Sequence, residues 1–142
     1  DEAATAERIR RLLLAGITFF LDLTEPGEIA PYAPLLPGKI MYRQLSIPDM
    51  HAPTSDHMRR ILDFIDAGLV DGRVIYLHCM AGIGRTGTVV GCHLVRCGMA
   101  GEAALKMIAE RAHCESPETD AQRRLVLRWC ESGDQTIRYP RR

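Results

Sequence analysis

A ten-residue run, His78-Cys79-Met80-Ala81-Gly82-Ile83-Gly84-Arg85-Thr86-Gly87, constrains this chain more than any other stretch. It lies between an apolar, β-prone segment, Val74-Ile75-Tyr76-Leu77, and a helical segment over residues 86–97, so it bridges the end of a buried strand and a helix N-terminus. Gly82 and Gly84, between Cys79 and Arg85, let the backbone curl until successive N–H groups point inward around one tetrahedral anion. Arg85 closes that ring, because its planar fork takes two anion oxygens at once. Cys79 sits at the bottom of the cradle, where a helix N-terminus and a cation both favour the thiolate. A cysteine that merely filled a core would need neither the glycines nor the arginine, and an arginine buried without an anion would be costly.

The rest of the chain supplies a frame for this loop. A first helix is predicted over residues 4–15, with Ile9, Leu12 and Leu13 on one face and Gly16 ending it. Residues 17–23 read as an interior strand, and residues 24–38, with four prolines and two glycines, as loop. A second strand follows over residues 40–47. Thr54 or Ser55 then caps a helix in which Met58, Ile61, Leu62 and Ile65 share a face, with Gly68 as its stop. After the central strand and helix, Gly98 is the C-cap. A helix over residues 102–111 should turn Ala104, Met107 and Ile108 inward, and a last helix over residues 118–132 should present Leu125, Val126 and Trp129 to the core. Strands alternating with amphipathic helices predict an α/β fold, a mostly parallel central sheet flanked by helices on both faces, with ligands bound beyond the carboxyl ends of the strands. At 142 residues, a single domain over 1–142 is expected.

Charge and cysteine usage narrow the partners. Lys plus Arg balance Asp plus Glu, 18 against 18, so no bulk field favours nucleic acid or an anionic membrane. The basic tail Arg138-Tyr139-Pro140-Arg141-Arg142 reads as a solvated end. Five cysteines, at 79, 92, 97, 114 and 130, are odd in number and include no C-x-x-C pair, which argues against a disulfide framework or a zinc site. Cys92, Cys97 and Cys130 fall on predicted helices as core residues. With no run of 18 apolar residues and no signal-peptide pattern, a reducing, cytoplasmic setting is expected. The sequence starts at Asp1, so a leader removed ahead of it stays an open alternative.

At His78, Cys79, Arg85 and Thr86 the chain resembles the cysteine-dependent phosphatases of the protein-tyrosine phosphatase superfamily, whose signature is His-Cys, five residues, then Arg-Ser/Thr. The resemblance implies that Cys79 attacks phosphorus to form a phosphocysteine, with Arg85 clamping the transition state. Met80, Ala81, Gly82, Ile83 and Gly84 would bind the phosphate with Arg85, Thr86 would hydrogen-bond the departing sulfur, and His78 would fix the loop. It further implies a carboxylic acid on another loop, since an alkoxide or phenolate leaves poorly without a proton. Asp49, in Ile47-Pro48-Asp49-Met50-His51-Ala52-Pro53, resembles the acid of dual-specificity members. Gln122 resembles the residue that positions the hydrolytic water in many members, although Ser116-Pro117-Glu118 also fits a plain helix start. Related domains begin with one or two further strands, for which this chain has no room, so the sheet is expected to be short by an N-terminal edge.

The resemblance implies a compact dual-specificity-like protein phosphatase, monomeric, acting on a phosphorylated protein or peptide without metal or cofactor. A second reading keeps the chemistry but takes inositol phosphates or phosphoinositides. Members acting on those polyanions often carry lysines in the signature loop, where this chain has Met80 and Ile83. A third, a catalytically silent phosphoprotein-binding module, is disfavoured because Cys79, Arg85 and Asp49 are all present.

Overall fold

A computed structural model describes residues 1–131. The predicted end of the last helix at Ser132 and the tail at Arg138–Arg142 lie outside the described residues. The order of elements is α1 (Glu2–Leu14), β1 (Phe19–Asp22), a short 3-10 turn (Ala33–Leu35), β2 (Met41–Gln44), α2 (Ser55–Val70), β3 (Ile75–His78), α3 (Gly84–Arg96), α4 (Gly101–Ala112) and α5 (Asp120–Arg128). The strands form one parallel sheet in the order β2-β1-β3, with Phe19 opposite both Met41 and Ile75. Among the described residues no strand precedes α1.

Alternation along β1 sends its side chains to two cores. Phe19 and Leu21 enter the larger one, with Met58, Ile61 and Leu62 of α2, Val89 and Cys92 of α3, Ala104 of α4 and Val126 of α5. Each fully buried side chain of this kind contributes roughly 1.5–3 kcal/mol. Phe20 enters the smaller core, beneath Ile9, Leu12 and Leu13 of α1 and beside Tyr32, Tyr42 and Tyr76. Helices therefore cover both faces of the sheet. The three strands end together at Asp22, Gln44 and His78. The loops that follow them, over residues 23–32, 45–53 and 79–83, gather at that edge.

Several local expectations are corrected by packing. Gly68 does not stop α2, which runs on to Val70; a Cβ there would lie 2.9 Å from Phe19 Cδ1, so the glycine admits the ring instead. Thr54, rather than Ser55, caps α2 by accepting from the His57 N–H. Met107 faces solvent, and Leu105 packs on the core beside Ala104. The last helix starts at Asp120, because Thr119 and Gln122 form a reciprocal capping box, and it ends at Arg128 with Trp129 buried just beyond. Cys97 and Cys130 are exposed just past helix ends. Cys92 is in the core, where burial pushes its thiol up to about 12. Val74 is exposed and β3 is half-buried along its length, since β3 pairs with β1 alone among the described strands.

The close approach of α5, and of the segment before it, to α3 depends on glycine. On α3, Gly84, Gly87 and Gly91 form one face; Cβ atoms there would come within 3.2 Å of Gln122 Oε1, 2.3 Å of Ser116 Oγ and 2.7 Å of Val126 Cγ2. The helix and the segment before it thus reach α3 at a separation that any side chain would prevent.

Candidate active site

Cys79 follows directly on β3 and is 8% exposed. Its Sγ accepts a hydrogen bond from the Gly82 N–H at 3.2 Å and another from Thr86 Oγ1 at 3.1 Å. Gly82 holds φ at 74°, a left-handed conformation that lets its N–H turn back on the sulfur. Met80, Ala81 and Gly82 are exposed at the rim, while Ile83 and Gly84 lead into α3. Ser116 Oγ donates to the Ile83 carbonyl at 2.5 Å and fixes the loop's far end.

Arg85, on the first turn of α3, is nearly inaccessible, at 2% exposure. Its guanidinium has five N–H groups. Nη1 donates to Glu28 Oε2 at 2.8 Å and to the Ile47 carbonyl at 3.0 Å, and Nη2 donates to Glu28 Oε1 at 2.5 Å. Nε has no partner, although it is buried. That leaves one side edge of the fork, Nε–H with the second Nη2–H, which is the two-point geometry an oxyanion accepts. Asp49 Oδ1 is 3.5 Å from Nη2, so the predicted acid stands beside this same edge.

Asp49 is exposed for about two thirds of its side chain, 65%. Its turn is held by the Met50 N–H on Asp49 Oδ1 at 2.9 Å, by the His51 N–H on the Pro48 carbonyl at 3.1 Å, and by a left-handed Met50 at φ 63°. Gln122 is wholly buried, and its Nε2 donates to the His51 carbonyl at 3.1 Å while Oε1 accepts from the Thr119 N–H at 3.2 Å. It therefore ties α5 to the acid loop on one side and abuts Gly84 on the other.

His78 is held among aromatic side chains. Its Nε2 is 2.6 Å from Tyr32 Oη, its ring stacks on Tyr76 with centroids 5.4 Å apart, and its Nδ1 lies 3.4 Å from the Cys79 carbonyl. Burial, reinforced by the Asp22 carboxylate, pushes the Tyr32 phenol well above its ordinary range, so it stays protonated. Asp22 accepts from the Thr24 N–H and hydroxyl and from Tyr42 Oη. This network sets the height of the strand ends from which the loops leave.

Glu28, the partner of Arg85, is the member of the candidate site that the sequence reading missed. It lies in the turn Glu25-Pro26-Gly27-Glu28, where Gly27 has φ 85° and the Glu28 N–H meets the Glu25 carbonyl at 3.0 Å. The Arg85 guanidinium holds its carboxyl well below the usual range, down to about 2. In turn, Glu28 raises the already high affinity of Arg85 for its proton. Among the described residues no group of three or more His, Cys, Asp or Glu side chains is placed to hold a metal, and no helix is long and apolar enough to cross a membrane.

Similar proteins carry the same arrangement of elements. Tk-PTP, solved in its active form, superposes with a TM-score of 0.76 at 25% identity, over 84% of this chain and 82% of that one. Protein 067L of Invertebrate iridescent virus 3, whose name proposes a tyrosine phosphatase, is 36% identical over 96 residues, 62% of this chain. The phosphatidylinositol 3,4,5-trisphosphate 3-phosphatase and protein-tyrosine-phosphatase PTEN1 of Arabidopsis thaliana is 34% identical over 87 residues, 58% of this chain. The matched stretches span 38% and 21% of the lengths of these two relatives. Residues 1–99, which include both the cysteine loop and the Asp49 turn, match the family described as "Polymorphic toxin system, DSP-PTPase phosphatase", and the chain belongs to that family.

Proposed function

We propose that the chain is a cysteine-dependent protein phosphatase that hydrolyses phosphotyrosine, with phosphoserine and phosphothreonine also admitted, through a phosphocysteine intermediate. The observation that carries this reading is the side edge of Arg85: a guanidinium 2% exposed, clamped behind by Glu28, with a buried Nε–H that has no partner. Leaving such a donor unmet is unfavourable, and a phosphoryl oxygen satisfies it.

The chemistry follows from the positions of the groups. Sγ of Cys79 attacks phosphorus, and the bond to the leaving oxygen breaks as Asp49 gives that oxygen its proton. Water then attacks the phosphocysteine, returning a proton to Asp49, and the sulfur departs onto the hydroxyl of Thr86, 3.1 Å away. Arg85 and the loop amides meet the charge of the equatorial oxygens in both steps. Met80 and Ile83 add no cation to the loop, which favours a phosphoprotein over a polyphosphorylated inositol. Five unpaired cysteines, one of them needed as the nucleophile, fit action in a reducing setting. The test is turnover of phosphotyrosine, phosphoserine and phosphothreonine peptides against inositol lipids, with Cys79→Ser as the blank. Faster turnover of the lipids would overturn the protein-substrate reading.

Glu28 gives a second expectation. Glu28→Gln keeps the size of the side chain but weakens its grip on Arg85, so kcat should fall by roughly 10- to 100-fold, the scale of a misplaced reacting group. Because the Glu28 carboxyl titrates at about 2 in the folded protein, below its ordinary 4.5, its stabilisation is complete above pH 4.5 and lost as pH falls through 2. The substitution should therefore lower the whole pH–rate profile above pH 5 without moving its limbs. A shifted acid limb would assign Glu28 a proton-transfer role instead.

A further inference from the structure

Beside the acid loop lies a groove of about 320 Å³ that the reaction above leaves unused. Ala52 and Ser55 line it around the start of α2, and Arg124, Leu125, Arg128 and Trp129 from α5 and its end. Trp129 is buried and Leu125 half-buried. The two arginines stand four residues apart on α5, hence on one side of the helix, and both are exposed. Neither has an ion pair or hydrogen bond among the described residues, and the acids nearby are committed elsewhere. Asp120 pairs with Arg123, Glu131 with Arg96 and Asp56 with Arg59. Arg123, by contrast, is fully engaged, since it also donates to the carbonyls of Pro117 and Glu118.

The groove adjoins the reaction site through shared parts. Gln122, on the same helix, donates to the His51 carbonyl, one residue before Ala52 and two after Asp49. Ala52, which lines the groove, is three residues beyond Asp49, at most about 11 Å along the chain, so the groove is within reach of residues a few positions from the phosphorylated side chain of an extended peptide.

We propose that the groove binds acidic side chains flanking the phosphorylated residue of a protein substrate, and so selects acidic phosphopeptides. The inference rests on the protein-phosphatase reading. Paired arginines take carboxylates bidentately, and the apolar lining suits the methylene stem of a glutamate. An inositol ring, polar on every side, would leave hydroxyls unmet against Leu125 and Trp129.

Two phosphotyrosine peptides differing only in Glu or Gln at the flanking positions test this. At low ionic strength kcat/KM should favour the Glu peptide by about 10-fold, through KM, as two partly exposed ion pairs would give. The preference should shrink as salt is raised. Arg124→Gln/Arg128→Gln should abolish it, and Arg124→Glu/Arg128→Glu should reverse it, while p-nitrophenyl phosphate, too small to reach the groove, is turned over at the wild-type rate. A preference that survives both double variants, its absence in the wild type, or a dependence on these arginines confined to inositol lipids would overturn the proposal. Affinities of the two peptides for the Cys79→Ser protein read the groove without turnover. Failure of catalysis alone would count against the phosphatase reading, and equal affinities against the groove.

Discussion

Replacing Cys79 by serine is expected to cut phosphate release by at least ~10,000-fold, the order of loss when an enzyme's nucleophile is removed. The exchange is nearly isosteric, and Sγ sits in a site 8% exposed where the Gly82 N–H and Thr86 hydroxyl already point at it. A serine oxygen can accept both hydrogen bonds, so the loop keeps its shape. What is lost is the nucleophile, because an alcohol stays protonated at neutral pH and attacks phosphorus far less readily than a thiolate. Arg85 does not depend on the sulfur for its place, being held by Glu28 and the Ile47 carbonyl. Phosphopeptide affinity should consequently stay within a few-fold of wild type. Calorimetric binding and a phosphate-release assay on the same preparation check both halves; appreciable turnover in Cys79→Ser would remove the cysteine mechanism.

Asp49→Asn should show an effect that depends on the leaving group. Asparagine keeps an oxygen for the Met50 N–H that now meets Asp49 Oδ1, so the turn should persist, but it has no transferable proton. Esters of tyrosyl or seryl side chains need that proton, and their hydrolysis should slow by roughly 100- to 10,000-fold. An activated aryl phosphate needs little protonation and should lose far less in its first step. A proton donor also sets the high-pH limb of a rate profile, which should weaken in the variant. The position of Asp49, 3.5 Å from Nη2 of Arg85, is the structural basis for this assignment. Equal slowing of both ester types, with the limb retained, would place the acid elsewhere.

The sequence revealed those parts of the site that are local. Cys79, Gly82, Gly84, Arg85 and Thr86 fall within one strand-loop-helix turn, so their spacing alone conveys their geometry. Asp49 could be proposed because prolines bracket its turn and a strand precedes it. Glu28 could not, since its bond to Arg85 joins residues 57 apart and nothing in Glu25-Pro26-Gly27-Glu28 marks it beyond turn chemistry. Ser116 was read as a helix cap for the same reason, whereas its hydroxyl holds the Ile83 carbonyl across 33 residues. Gly68 follows every local rule for a helix stop and is overruled by one phenylalanine ring. Periodicity found the alternation of strands and helices, because each element buries its own stripe, but it could not say which loops would meet at the sheet's edge.

The glycine face of α3 has a consequence for how the chain tolerates change. Gly84, Gly87 and Gly91 carry no side chain, yet they set the distance at which Gln122, Ser116 and Val126 rest against the helix that follows the Cys79 loop. A methyl group at Gly91 would press on Val126 and push α5 outward, one at Gly87 would collide with Ser116 Oγ, and one at Gly84 would crowd Gln122, whose bond to the His51 carbonyl holds the acid loop. Damage of that kind would be recorded first as slow chemistry in a protein that still folds. The geometry of the candidate site is thus set in part by residues that an inventory of reactive groups would never include.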